Sequence, residues 1–440
     1  MLFIIMLIII LLYLKYYLTI NRLIITFVIT ILNLKLKVMN LETLQGYLNN
    51  SDFFEFISTN LNADTNALRL KKFKDLTFDS KFAILQIECK KRIQKKLPEL
   101  YDTKTFLFPS ILATEQCTAQ EIAKFHSTLF DENELVLDMT AGLCVDAFYI
   151  SKKVKHITAL ELNPDTALLS NFNMTNLAKN ITVLNQDCND FINSTNQTFD
   201  SVFIDPARRG DNNKRLFGLV DCQPNIIELI PTIKAKAKKL IIKASPMLDI
   251  TQSINELQHQ VSDTWVIGIN NECKEVLFKV DLQSDNPITP VIHTINFEKG
   301  CIQELSSNEI ATKSTSVSPE CGMYLFEPNR CIMKAQIFGT LENNLNVSPI
   351  HHNSHLFVST NKVDNFPGRS FIIEQIIPFK SNELKHIKKE HPQINVSVRN
   401  FKLSAEELKN KLKVKDGGEK YLFGTTDCNN NAILIICSKI

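Results

Sequence analysis

From residue 135 the chain alternates five short apolar segments, LVLDM, HITALEL, ITVLNQD, FDSVFID and KKLIIKAS, with stretches of helical periodicity. Apolar runs this short, rich in Val, Ile and Leu, read as strands covered on both faces. A strand–helix rhythm of this kind requires a parallel sheet, because a crossover helix must carry the chain back to the same end. Two more runs, TWVIGIN and KEVLFKV, follow with only the few residues around Asn271–Lys274 at their junction. No helix fits in that link, so this pair must be antiparallel. The expected core is an α/β sheet of five parallel strands ending in an antiparallel hairpin, with helices on both faces. At 440 residues and 44% apolar content the chain has room for that core and one or two further domains.

The flanks read differently. Residues 39–130 are expected to be mostly helical. In SKFAILQIECKKRIQKKL the apolar Phe82, Leu85, Cys89, Ile93 and Leu97 recur every three or four positions, leaving Lys91, Arg92, Lys95 and Lys96 on another face. That basic face is a solvated helix surface before it is an RNA contact. Thr118 and Glu121 in TAQE have capping-box spacing, which predicts a helix carrying Ile122, Phe125 and Leu129 inward. The polar run 306–319 reads as a linker or surface loop. Beyond it, YLFEPNRCIMKAQIFGTL predicts a turn at Pro328 and a helix capped by Asn329, and the remainder predicts a small α+β domain with a second capping box at Ser404 and Glu407. Residues 366–440 carry 13 basic and 8 acidic side chains, a net +5 that suits either a nucleic-acid surface or a Lys-rich solvated one.

Composition excludes several classes. The eleven cysteines are odd in number and none forms a C-x-x-C pair, so neither a zinc site nor a disulfide framework is expected, and reduced thiols of a cytoplasmic protein fit best. His351, His352 and His355 in HHNSH have no acidic or thiol neighbour, and a polar loop is expected there rather than a metal. Residues 1–38 hold two apolar runs, each too short to span a bilayer, with Lys15, Arg22, Lys35 and Lys37 but no acid. Their composition resembles translated AT-rich DNA, which makes Met39 the expected start and a membrane anchor the alternative. Without them the charge is −2, too small to announce a polyanionic partner by itself.

In open α/β sheets ligands lie beyond the carboxyl ends of the strands. The first strand runs into DMTAGLCVD, where Asp138, Thr140, Ala141 and Gly142 form a tight loop opening a helix, with side chains small enough for a ligand to approach the backbone. The second ends at Glu161, 23 residues after Asp138, a spacing at which a carboxylate accepts ribose hydroxyl hydrogen bonds. The third ends at Asp187, placed to accept from an adenine amine. The fourth ends at Asp205, which Pro206 restricts to an extended conformation. Three successive strands ending in carboxylates point to a nucleoside pocket. Lys243, Ser245 and Asp249, after the fifth strand, are candidates for a substrate wall.

Parallel strands closed by an antiparallel hairpin resemble the Rossmann-like class I S-adenosylmethionine (SAM) methyltransferase fold. The stretches TEQCT, DMTAGLCVDAFYIS, ALELNP, FIDPARRG, IIKASPMLDI, NECKE, YLFEPN, IMKA, FPGR, VRNF and KLKVKDGGEKYLF make the likeness specific. Across nearly all residues from Met39, the chain resembles bacterial, Bacteroidetes-type class I SAM-dependent methyltransferases that carry a C-terminal THUMP-like domain. That resemblance implies a hydrophobic extension over 1–38, a helical region over 39–130, a methyltransferase domain over 131–300, a ferredoxin-like segment over 323–367 and a THUMP-like domain over 368–440. It implies SAM as cofactor, held by Gln116, Asp138, Thr140, Ala141, Gly142, Glu161, Asp187, Asp205 and Pro206, with Asp205 and Arg208 catalytic. The implied reaction is methylation of a nitrogen or oxygen of RNA, either tRNA or rRNA, without a metal. Cys144 stands where the family has a second glycine, and as a small side chain beside the SAM methionine it is expected to weaken binding at most. Amino-methylating enzymes follow the proline with a stacking aromatic. Here Ala207, Arg208 and Arg209 follow, so a guanidinium would stack on a base, hold a phosphate or make structural ion pairs. Cys188 and Cys222 lack a setting for nucleophilic carbon methylation. Two other readings stand beside this one: a protein or small-molecule methyltransferase, and a lapsed methyltransferase-like RNA-binding protein.

Overall fold

The computed structural model describes residues 40–208, 218–258, 260–307 and 315–440, so the extension over 1–38 lies outside the described residues. These fall into two compact units: one is the described chain up to Cys117 with Asn163–Leu177, the other Thr118–Leu162 with the rest from Ala178. No helix among the described residues is long and apolar enough to cross a membrane.

The first unit is helical: α1 (Leu41–Leu48), α2 (Ser51–Thr59), α3 (Thr65–Leu70), α4 (Ser80–Ile93), α5 (Pro98–Asp102) and α6 (Ile111–Gln116), joined by the helix Pro164–Leu177. Asn40, Asn50, Asp64 and Asp79 cap α1 to α4, and Ser110 caps α6, by accepting from backbone N–H groups. Leu44, Phe53, Phe82, Ile87, Leu107 and Phe172 form its core. The basic face of α4 is tied to the unit itself: Arg92 pairs with Glu115 at 2.8 Å, and the Lys96 ammonium donates to the Glu115 carbonyl at 2.6 Å.

The second unit begins with α7 (Gln120–Ser127) and a sheet built from β1 (Leu135–Asp138), β2 (His156–Glu161), β3 (Ile181–Asn185), β4 (Ser201–Ile204), β7 (Lys239–Ala244), β8 (Val261–Ile269) and β9 (Glu272–Asp281). A short ribbon, β5 (Ala207–Arg208) and β6 (Cys222–Gln223), stands apart from it. The connecting helices are α8 (Val145–Ser151), the helix Pro164–Leu177 as α9, α10 (Cys188–Ser194), α11 (Ile226–Lys234) and α12 (Ile250–Glu256). The spatial order from the far edge is β3-β2-β1-β4-β7-β9-β8, with β1 to β4 and β7 parallel and β9 antiparallel to both neighbours. This is the class I arrangement expected. The β8–β9 link is a two-residue turn in which Asn270 and Asn271 take φ of 50° and 60°, the left-handed pair a tight hairpin requires. Two strands that the sequence reading left unassigned, β10 (Val291–Glu298) and β11 (Cys301–Ser307), extend the sheet beyond β8.

Leu137, Leu160, Val202, Ile204, Leu240, Ile242, Val276 and Phe278 are almost wholly buried between the helical layers. The Thr118 side chain does not cap α7, whose N-cap is Ala119; it turns inward to Asp146 instead.

The C-terminal part is a second sheet, in the order β13-β14-β12-β15-β18-β17-β16. Its strands are β12 (Tyr324–Pro328), β13 (Ser348–Pro349), β14 (Phe357–Ser359), β15 (Gly368–Pro378), β16 (Asn395–Val398), β17 (Lys420–Thr426) and β18 (Ala432–Lys439). Its helices include α13 (Arg330–Ala335), α14 (Phe338–Leu345), α15 (Ile387–Glu390) and α16 (Ala405–Leu412). Asn329 caps α13 through Cys331 and Ile332, and Ser404 with Glu407 forms the predicted capping box on α16. The buried carboxylate of Glu327 gathers Arg369 and Arg399, the latter at 2.8 Å.

Candidate functional site

Backbone pairing carries past the ends of the strands and shapes the loop after β1. The Met139 N–H donates to the Phe203 carbonyl at 2.9 Å, and the Ala141 N–H to that of Leu160 at 2.8 Å. Thr140 sits at the junction: its N–H donates to Asp138 Oδ1 at 3.1 Å, and its hydroxyl accepts the Asp205 N–H at 2.7 Å. Gly142 adopts φ of +50° and donates its N–H to Glu161 Oε2 at 3.0 Å. A side chain at Gly142 would meet open space, so the loop presents backbone to the outside. Asp138, Thr140, Ala141, Gly142, Glu161 and Asp205 thus come together at the carboxyl ends of three adjacent strands.

Cys144 is fully buried at the left-handed N-cap of α8 with φ of 57°. Its side chain is packed into the protein. Asp187 spends Oδ1 on the first turn of α10, accepting from Asn189 at 2.7 Å and Asp190 at 3.3 Å. Leu162, directly after Glu161, is 67% exposed, an apolar surface beside the loop that sequence reading passed over. Pro206 is buried. Arg208 lies in the β5–β6 ribbon opposite Cys222, while its side chain and Arg209 lie outside the described residues. Gln116 ends α6 and belongs to the first unit.

The expected substrate wall is different in the structure. Ser245 accepts from the Met247 N–H, and Asp249 caps α12. Lys243 turns inward, its ammonium 2.5 Å from Asp205 Oδ2, 3.0 Å from the Thr118 hydroxyl and 4.0 Å from Asp146 Oδ2. Behind it, Asp146 accepts from the Thr118 hydroxyl at 2.6 Å and faces His126 Nδ1 at 2.7 Å, while His126 Nε2 meets Glu275 Oε1 at 2.5 Å. Thr118 of TEQCT, Asp146 of DMTAGLCVD and Glu275 of NECKE converge here, which nothing local in those stretches shows. The missing signal is spatial, because these residues come from a loop, a helix and a strand far apart in sequence.

The electrostatics follow from this packing. Burial works against a charged His126, but Glu275 and Asp146 override it and hold the imidazolium up to about 9. Asp146, despite burial, is pulled down to about 2 by Lys243 and His126. At Asp138 burial, with Asp146 and Asp205 adding to it, outweighs the Thr140 N–H and Lys243 and pushes the carboxyl up to about 8. Burial also raises Asp205, with Lys243 pulling the other way, and Lys243 is held firmly protonated by Asp205 and Asp146 against its own burial.

Among the described residues no His, Cys, Asp and Glu cluster has metal-binding geometry. His351 instead faces Asn430 at 3.2 Å and Asn400 at 3.0 Å.

Comparison with known proteins agrees with this layout. Residues 324–367 match the family described as a ferredoxin-like domain, and 368–439 the family described as THUMP domain-like. A crystal structure of a provisionally assigned methyltransferase from Porphyromonas gingivalis W83 is 27% identical, with a TM-score of 0.79 over 92% of this chain and 100% of that one. An uncharacterised RNA methyltransferase of Mycoplasma mobile is 31% identical over 135 residues, 30% of this chain. The match spans about a third, 34%, of that relative's length. The chain therefore has the class I methyltransferase fold, followed by a ferredoxin-like domain and a THUMP domain-like module.

Proposed function

We propose that the chain is a SAM-dependent methyltransferase acting on RNA. The observation that carries the reading is the convergence of Gly142, Glu161 and Asp205 at the carboxyl ends of three adjacent strands, with the glycine amide tying the loop to the Glu161 carboxylate. Glu161 would accept the ribose hydroxyls, Leu162 would cover one face of the adenine, and Asp187 would accept from its amine. The open space before Gly142 and the burial of Cys144 leave room for the methionyl end. When bound, SAM supplies a methyl group already made electrophilic by the adjacent sulfonium. The protein's part is alignment.

Thr140 fixes the backbone of Asp205, Pro206 restricts its conformation and Lys243 holds Oδ2. The Lys243 ammonium occupies one of the two carboxylate oxygens. Asp205 therefore acts chiefly by accepting a hydrogen bond from the acceptor's N–H or O–H and aiming its lone pair, with Arg208 in reserve for a base or phosphate. RNA as acceptor is supported by the THUMP domain-like module, by the relative described as an RNA methyltransferase and by the net +5 of residues 366–440.

Methyl-labelled SAM incubated with the chain and total RNA from a strain lacking it should place label in ribonuclease-sensitive material, and Asp205→Ala should abolish the signal. Label that survives ribonuclease would assign the acceptor to protein or a small molecule. Full transfer by the variant would take Asp205 out of the chemistry.

A further inference from the structure

The SAM reading has an electrostatic consequence in the cluster behind Asp205. Asp146, Asp205 and Glu275 share one bonded group with His126 and Lys243. Both ring nitrogens of His126 face carboxylate oxygens, the setting that favours a doubly protonated, positively charged ring. Lys243 supplies the second cation. Three carboxylates against two cations leave one unbalanced negative charge in this bonded group of described residues.

Side-chain exposure tells where that charge is felt. His126 is 0% exposed, Glu275 6%, Lys243 12% and Asp146 14%, whereas Asp205 is 41% exposed. Asp205 alone in the cluster opens appreciably to the outside, at the end of β4 beside the glycine loop. A fixed charge backed by protein is poorly screened, and its field is directed toward the exposed Asp205 end of the cluster.

We propose that this cluster is the counter-charge for a cationic cofactor, so that the site selects the sulfonium of SAM over the neutral thioether S-adenosylhomocysteine (SAH). The inference rests on the SAM reading and assigns His126, Asp146, Lys243 and Glu275 a specificity role without contact to the ligand. Shape alone separates SAM from SAH by one methyl group; charge separates them at a distance.

Calorimetry on the full chain at pH 6 tests this with SAM, SAH and sinefungin, which carries a protonated amine near the sulfonium position. SAM and sinefungin should each bind about tenfold more tightly than SAH. Glu275→Gln removes a negative charge from behind His126 and should bring all three within about threefold. Near-UV circular dichroism checks that this variant is folded; if it is not, the wild-type ranking decides, with sinefungin following SAM if charge is sensed and SAH if it is not. Equal binding of all three by the wild type, or undiminished discrimination in a folded Glu275→Gln, overturns the proposal and leaves the SAM reading standing. Binding of none of the three overturns both.

Discussion

His126 has no solvent exposure and two carboxylates as neighbours, so its charge is a property of the folded state. Its protonation is held up to about 9 against 6.5 for the free side chain. The stabilisation is therefore complete below pH 6.5 and lost as pH rises through about 9, amounting to about 3 kcal/mol. Asp138 acts in the same direction: with its carboxyl raised from 3.8 to about 8, stability falls as pH climbs through that interval. Asp146 acts oppositely, losing its contribution only as pH falls from 3.8 to about 2. A thermal melt series should thus show Tm declining between pH 6.5 and 9, and His126→Gln should lower Tm at pH 6 while flattening that decline. A decline of equal slope in the variant would assign the dependence to other groups. The strand-end positions of Glu161 and Asp205 were legible in the sequence because strand ends and carboxylates are local features. His126 was not, since one histidine on a helix beside Ile122 and Phe125 looks like any core histidine until the strand bearing Glu275 is placed against it.

The β8–β9 hairpin was legible too, because a short link leaves antiparallel pairing as the only geometry. Its partner α13 was predicted only as a helix capped by Asn329, and its packing against this hairpin came from the structure. The Arg330 N–H donates to Asn271 Oδ1 at 2.8 Å, and a Cβ on Gly268 would lie 2.6 Å from Cys331 Sγ and 2.8 Å from the Glu272 carbonyl. Gly268→Ala should cost about 1–3 kcal/mol in urea denaturation, because a backbone oxygen cannot move aside as a side-chain tip can. No loss of stability would show that the contact relaxes freely. β10 and β11 escaped the sequence reading for a physical reason. Strands at the margin of a sheet are partly exposed, and VIHTINFE and CIQELSS mix polar with apolar residues instead of running apolar throughout.

The two sheets of the second unit are held in different ways. The first relies on an apolar interior; the second adds a buried carboxylate, Glu327, paired with Arg369 and Arg399 from stretches 42 and 72 residues away. Both arginines are about a third exposed, so losing the carboxylate leaves them partly hydrated. Glu327→Gln should therefore destabilise the second sheet by about 2 kcal/mol and speed its limited proteolysis, with SAM affinity unchanged. Altered SAM affinity would mean that the C-terminal sheet shapes the crevice. The central claim is that carboxylates at the ends of neighbouring strands hold one SAM molecule, and its most direct test is calorimetric titration of SAM into the wild-type chain and Glu161→Ala. The account predicts one site in the wild type and at least about tenfold weaker binding in the variant, since charged hydrogen bonds to the ribose and the tie to Gly142 are lost together. Unchanged affinity in a folded variant, or no binding by the wild type, would contradict it.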